Sequence, residues 1–163
     1  MYRIFLLLSL FVWVTSCVTP PDYPEEPTLS FVGFSKNGMR QGVFAEDSVI
    51  MTLSFTDGNG DFGTPGTGID KNIFITDKRT GEIFREFKAP FVPVEGTANG
   101  ISGTISVKLY TTCCIFPVST GIPPCETPAA FPSNELVLDV YIKDRAGNVS
   151  NLITTPAITL QCR

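Results

Sequence analysis

The chain has 163 residues, 12 of them basic and 16 acidic, a formal net charge of −4 and no histidine. That length suits one domain with a core of its own. The mildly acidic balance leaves nucleic-acid binding without electrostatic support, and the missing imidazole excludes histidine triads, histidine general bases and histidine metal ligands.

Residues 1–16 read as an export signal: Arg3 is a short positive n-region, Ile4 to Val14 an apolar h-region, and Val14-Thr15-Ser16 brings small residues up to Cys17. A stretch this short does not span a bilayer as a helix. The Val14–Cys17 box resembles the lipobox of bacterial lipoproteins, which implies acylation of Cys17; a plain secretory signal with an incidental cysteine is the other reading. Trp13, the only tryptophan, falls inside the signal, so the rest of the chain has none with which to stack a sugar. Residues 17–27 carry Pro20, Pro21, Pro24 and Pro27 among Asp22, Glu25 and Glu26, a composition expected of an extended tether. An acidic stretch behind an acylated cysteine resembles the surface-export signals of Bacteroidota lipoproteins, which implies an outer-membrane location facing outward.

From residue 28 to residue 163 the chain reads as short strands separated by Gly, Pro, Asn and Asp. Leu29–Phe34 is a first strand, and Ser35–Gly42 with Lys36-Asn37-Gly38 a turn. Val49–Thr56 alternates Val49, Met51, Leu53 and Phe55 against Ile50, Thr52, Ser54 and Thr56, the period-2 pattern of a strand with one buried face. Asn72–Thr76 and Glu82–Phe87 flank Asp77–Gly81, a hairpin with Gly81 at a positive-φ position. Ile101–Thr111 and Glu135–Lys143 are longer alternating strands, and Ala157–Gln161 is the last. About seven antiparallel strands at this spacing, with no amphipathic helix, predict an all-β fold, a β-sandwich.

Within Asp57-Gly58-Asn59-Gly60-Asp61-Phe62-Gly63, oxygen-bearing side chains stand at alternate positions between residues that turn tightly. Calcium takes six to eight oxygens in flexible geometry, and Asp57, Asn59 and Asp61 supply such a set in one short loop. It is half of an EF-hand pattern, with Phe62 where the glycine belongs and no glutamate at the twelfth position. Asp-Gly and Asn-Gly also form turns without any ion, so an ordinary turn is the competing reading.

Tyr141–Asn151, with Asp144, Arg145-Ala146-Gly147-Asn148 and Ser150, resembles the penultimate hairpin of bacterial immunoglobulin-like domains. Together with the Val14–Cys17 box and the Asp57–Gly63 loop, it makes the chain similar to small immunoglobulin-like lipoproteins of Bacteroidota cell envelopes. The resemblance implies an immunoglobulin-like sandwich and a membrane anchor, and it brings no agreed activity. In such a sandwich the turn after the penultimate strand shares one end with the Asp57–Gly63 loop, so Asp144 and Asn148 join the candidate calcium ligands.

With Cys17 assigned to the lipid, Cys113, Cys114, Cys125 and Cys162 remain. An even count in an exported chain implies disulfides, and the CxxC-like spacing of a four-thiolate zinc site is missing. Ile105, Val107 and Leu109 place odd-numbered residues on the core face, which carries Cys113 inward and Cys114 outward. Ile158 and Leu160 likewise carry Cys162 inward, so the predicted pairs are Cys113–Cys162 and Cys114–Cys125. The intervening Cys113–Pro132 segment is long for a connection within a sandwich, as expected of a stapled or a functional loop.

Two functional classes follow. One is a non-catalytic, membrane-anchored envelope module that binds a protein partner or serves a larger complex; exposed Phe91, Phe116 and Phe131 would suit it if they formed one patch. The other is a surface hydrolase using paired carboxylates such as Asp61 and Asp70. No nucleophile, base and orienting group occur together in a recognisable spacing, so the chain is expected not to be an enzyme.

Overall fold

The computed structural model describes residues 22–93 and 100–163; the expected export signal, Cys17 and the first part of the expected tether lie outside them. The described residues are all-β, with strands β1 (Thr28–Phe34), β2 (Gly38–Arg40), β3 (Ser48–Asp57), β4 (Ile73–Asp77), β5 (Glu82–Phe87), β6 (Ile101–Tyr110), β7 (Ser133–Leu136), β8 (Leu138–Ile142), β9 (Ile153–Thr154) and β10 (Ile158–Gln161), and a single 3₁₀ turn at Val118–Thr120. Three sheets form, in the orders β1-β3-β6, β2-β10-β7 and β5-β4-β8-β9. The arrangement is compatible with a β-sandwich.

β3 realises the alternation of its sequence. Val49, Met51, Leu53 and Phe55 are buried, and Asp57, two residues further along the same face, is buried with them. β8 does the same with Leu138, Val140 and Ile142, and the next residue of that parity is the buried Asp144. These rows join β1, β4, β6 and β10 in one hydrophobic cluster that includes Leu29, Ile75, Leu109 and Leu160. Burying such side chains contributes about 1.5–3 kcal/mol each.

Three expectations are corrected here. The described residues hold ten strands rather than about seven, because the predicted Glu135–Lys143 strand breaks at Val137, whose carbonyl accepts a hydrogen bond from Lys78 N–H, and because β9 stands apart from β10 across Pro156. Gly38–Arg40, expected within a turn, is a short strand that pairs in parallel with β10, so the pairing is not wholly antiparallel. A three-residue strand carries too little alternation to be seen in sequence.

The third correction concerns the disulfides, which pair Cys113 with Cys125 and Cys114 with Cys162, at Cα separations of 4.6 and 5.9 Å. The parity that governs β6 ends with it at Tyr110; Thr111 is still buried, but across Thr112 and Cys113 the chain is irregular and the inward phase slips by one residue. Cys114 and Phe116 therefore point into the core, and Cys114 meets the inward-facing Cys162. Cys113 reaches Cys125 in the Pro-rich loop instead.

Candidate functional site

Asp57 ends β3, Asp61 lies in the loop that follows, and Asp144 opens the turn after β8. Their strands bring one carboxylate oxygen from each to within 4.8 Å of the others. Asp57 and Asp144 are 0% and 4% exposed. They are buried because each extends the core-facing row of its strand by one step, so the sheet geometry carries carboxylates into a place where apolar side chains would otherwise sit.

The surrounding bonds hold the three acids without consuming them. Asp57 Oδ1 accepts from Gly60 N–H at 3.1 Å, and Asp61 Oδ2 from Ala146 N–H at 2.9 Å. Asp144 Oδ1 accepts from the N–H groups of Gly147 and Asn148, both at 2.7 Å, and its Oδ2 from the Asn148 side-chain amide at 2.8 Å. Asp57 Oδ2 and Asp61 Oδ1 are buried and have no hydrogen-bond partner. Burial pushes the Asp57 carboxyl above its usual range, with the charges of Asp61 and Asp144 adding to the effect. Asp61 is raised in the same direction, first by burial and then by Asp144.

Of the expected ligands, Asp57, Asp61 and Asp144 come together, and Asn59 and Asn148 each hydrogen-bond to one of them, Asn59 to the Asp61 main chain and Asn148 to the Asp144 carboxylate. Asn59 Oδ1 accepts from Asp61 N–H at 3.3 Å, stiffening the loop, and Asn148 orients Asp144. Sequence reading missed Arg145. Its Nη1 donates to the carbonyls of Phe62, Gly63 and Val92 at 3.2, 2.6 and 3.1 Å, and its guanidinium lies 4.9 Å over the Phe91 ring. An arginine in a surface turn has no spacing signature; only the fold shows that it ties the 57–63 loop to the 144–148 turn. Arg145 N–H also donates to the Asp61 carbonyl at 3.3 Å.

The three carboxylates repel one another, a cost that a bound divalent cation removes. With only oxygen donors in the set, a hard cation fits better than zinc or copper. Asp70 is exposed in the loop before β4 and is not one of the clustered acids. Nor do the three phenylalanines form one exposed patch: Phe116 is buried against Phe131 with ring centroids 5.7 Å apart, and only Phe91 is exposed, with the Arg145 guanidinium over its ring. No protein-family model, curated protein or solved structure matches this chain.

Proposed function

We propose that the protein is a non-catalytic, immunoglobulin-like module of a bacterial cell envelope, anchored through a lipid on Cys17, whose Asp57–Asp61–Asp144 end binds calcium. The observation that carries the cation reading is the pair of buried, unpartnered oxygens, Asp57 Oδ2 and Asp61 Oδ1, within a cluster of three acids. A buried carboxylate oxygen without a partner is costly, and a hard cation supplies what is missing. Ligands drawn from two separate loops suit the flexible coordination of calcium better than the strict octahedron of magnesium.

The immunoglobulin-like reading is supported by strand order. β1, β3 and β6 follow the A-B-E order of such domains, and β10, β7 with β8, β4 and β5 follow G-F-C-C′, with β2 as an extra strand beside G. The anchor rests on the Val14–Cys17 box, and the role as a binding or accessory module on the lack of any catalytic constellation in the sequence.

Thermal melting in calcium and in chelator tests the site. At a hundredfold excess over Kd, binding to the folded state alone stabilises by about 2.7 kcal/mol, several degrees for a domain of this size. Asp61→Asn should lose the calcium response, and in chelator it should melt no lower than the wild type, since one repelling charge is gone. Equal wild-type melting in both conditions would leave Asp57–Gly63 as an ordinary turn.

A further inference from the structure

The residues just before β1 do not hang free of the domain. The Pro24 carbonyl accepts a hydrogen bond from Gly58 N–H at 2.8 Å, and Pro27 is buried. A Cβ at Gly58 would lie 2.2 Å from the Tyr23 carbonyl oxygen and 2.6 Å from that of Pro24, so the segment rests directly on the backbone there. The Tyr23 ring closes over Gly100 on the other side, where a Cβ would come within 3.0 Å of it and within 2.8 Å of the Asp57 carbonyl oxygen. Chain from the N-terminal side thus crosses the Asp57–Gly58 peptide, immediately beside one of the clustered acids.

We infer that the cation site is a clasp for this segment: filling it locks Tyr23–Pro27 onto the domain, and emptying it releases them. The inference rests on the calcium reading above. Asp57 is held by β3 through its pairing with Ile101, so the part of the loop able to yield to repulsion among the acids is Gly58-Asn59-Gly60. Those residues carry the N–H that holds Pro24 and the surface that seats Tyr23. A cation bridging Asp57, Asp61 and Asp144 selects the loop conformation in which that seat exists. Cation and segment therefore favour the same state, and by linkage each raises the affinity of the other.

The consequence is mechanical. Docked, the chain is fixed to the domain from Tyr23 onward; released, it is free up to the start of β1 at Thr28. Five residues of extended chain add at most about 17 Å of reach. For a domain tethered through its N-terminal side, calcium would shorten the spacer and set the orientation of the domain on the membrane.

Glu25 is exposed, and because the Glu26–Pro27 bond resists cleavage, cutting by a glutamyl endopeptidase at Glu25–Glu26 reads the docking directly. With the full chain in detergent, cleavage after Glu25 should be about tenfold slower in calcium than in chelator, within the range usual for coupled sites, because cutting tracks the population of the released segment. Gly58→Ala removes the seat and keeps every acid: it should retain a calcium-dependent rise in melting temperature and lose the calcium-dependent protection. Tyr23→Ala, which alters only the segment, should do the same and serves if Gly58→Ala does not fold. A wild type whose melting responds to calcium while its cleavage does not would overturn the clasp and leave the cation site standing. No response of either would overturn both.

Discussion

Removing the two disulfides separately should give unequal losses, in an order set by where each sits. Cys114–Cys162 joins residues 48 apart and Cys113–Cys125 residues 12 apart. In the chain-entropy model the first closure is worth about 4 kcal/mol and the second about 3. The first also lies in the core, with Cys114 and Cys162 at 0% and 1% exposure, so replacing both by alanine adds a small packing loss. Cys113 and Cys125 are only half-buried and add little. Guanidinium unfolding of Cys114→Ala/Cys162→Ala and Cys113→Ala/Cys125→Ala should therefore show losses of about 4–5 and about 3 kcal/mol, or roughly 15 and 10 °C in melting temperature. Non-reducing peptide mapping fixes the connectivity beforehand. A Cys113–Cys162 linkage, or an outer pair whose removal costs more than that of the buried pair, would refute the reasoning.

Arg79 pairs with Asp77 at 2.7 Å and also donates to the Cys113 carbonyl and to Asn134 Oδ1, with both charged side chains largely buried. Arg79→Ala should cost about 3–5 kcal/mol in chemical denaturation by stranding the Asp77 charge, and Arg79→Lys should recover only part of it. Gly63 has φ +79°, and a Cβ there would meet the Pro90 carbonyl oxygen at 1.9 Å, so Gly63→Ala should cost about 2 kcal/mol or more and lower the melting temperature even in chelator. Hydrogen bonds from Lys36 and from Arg40 N–H hold the Asp47 carboxyl down at about 2. Its folded value lies below the unfolded one near 4, so it stabilises the fold above pH ~4 and that contribution is lost as pH falls from ~4 to ~2. Because Lys36 is partly exposed, the amount is only about 1 kcal/mol; Asp47→Asn should flatten that part of the urea midpoint against pH, and an unchanged acid limb would count against the Asp47 interactions.

What could be read along the chain was local. The period-2 row of β3 was legible because every other side chain of a strand faces the same way, and the same rule, carried one step further, reaches the buried Asp57 and, from β8, Asp144. The hairpin at Asp77–Gly81 was legible from its turn residues, and Gly81 does adopt φ +73°. The disulfide pairing was not, since it depends on where β6 ends: one irregular step at Thr112–Cys113 exchanges which cysteine faces inward, and no pattern within the strand announces the step. The three acids of the cluster could all be read along the chain; the hydrogen bonds that Asn59 and Asn148 make to Asp61 and Asp144 could not, because backbone positions decide them. Arg145 bridging two loops, and Tyr23–Pro24 seated on Gly58, join residues tens of positions apart in the chain. Strand periodicity is a property of neighbours in sequence, whereas these contacts belong to neighbours in space, and only the packing of the sheets brings them together.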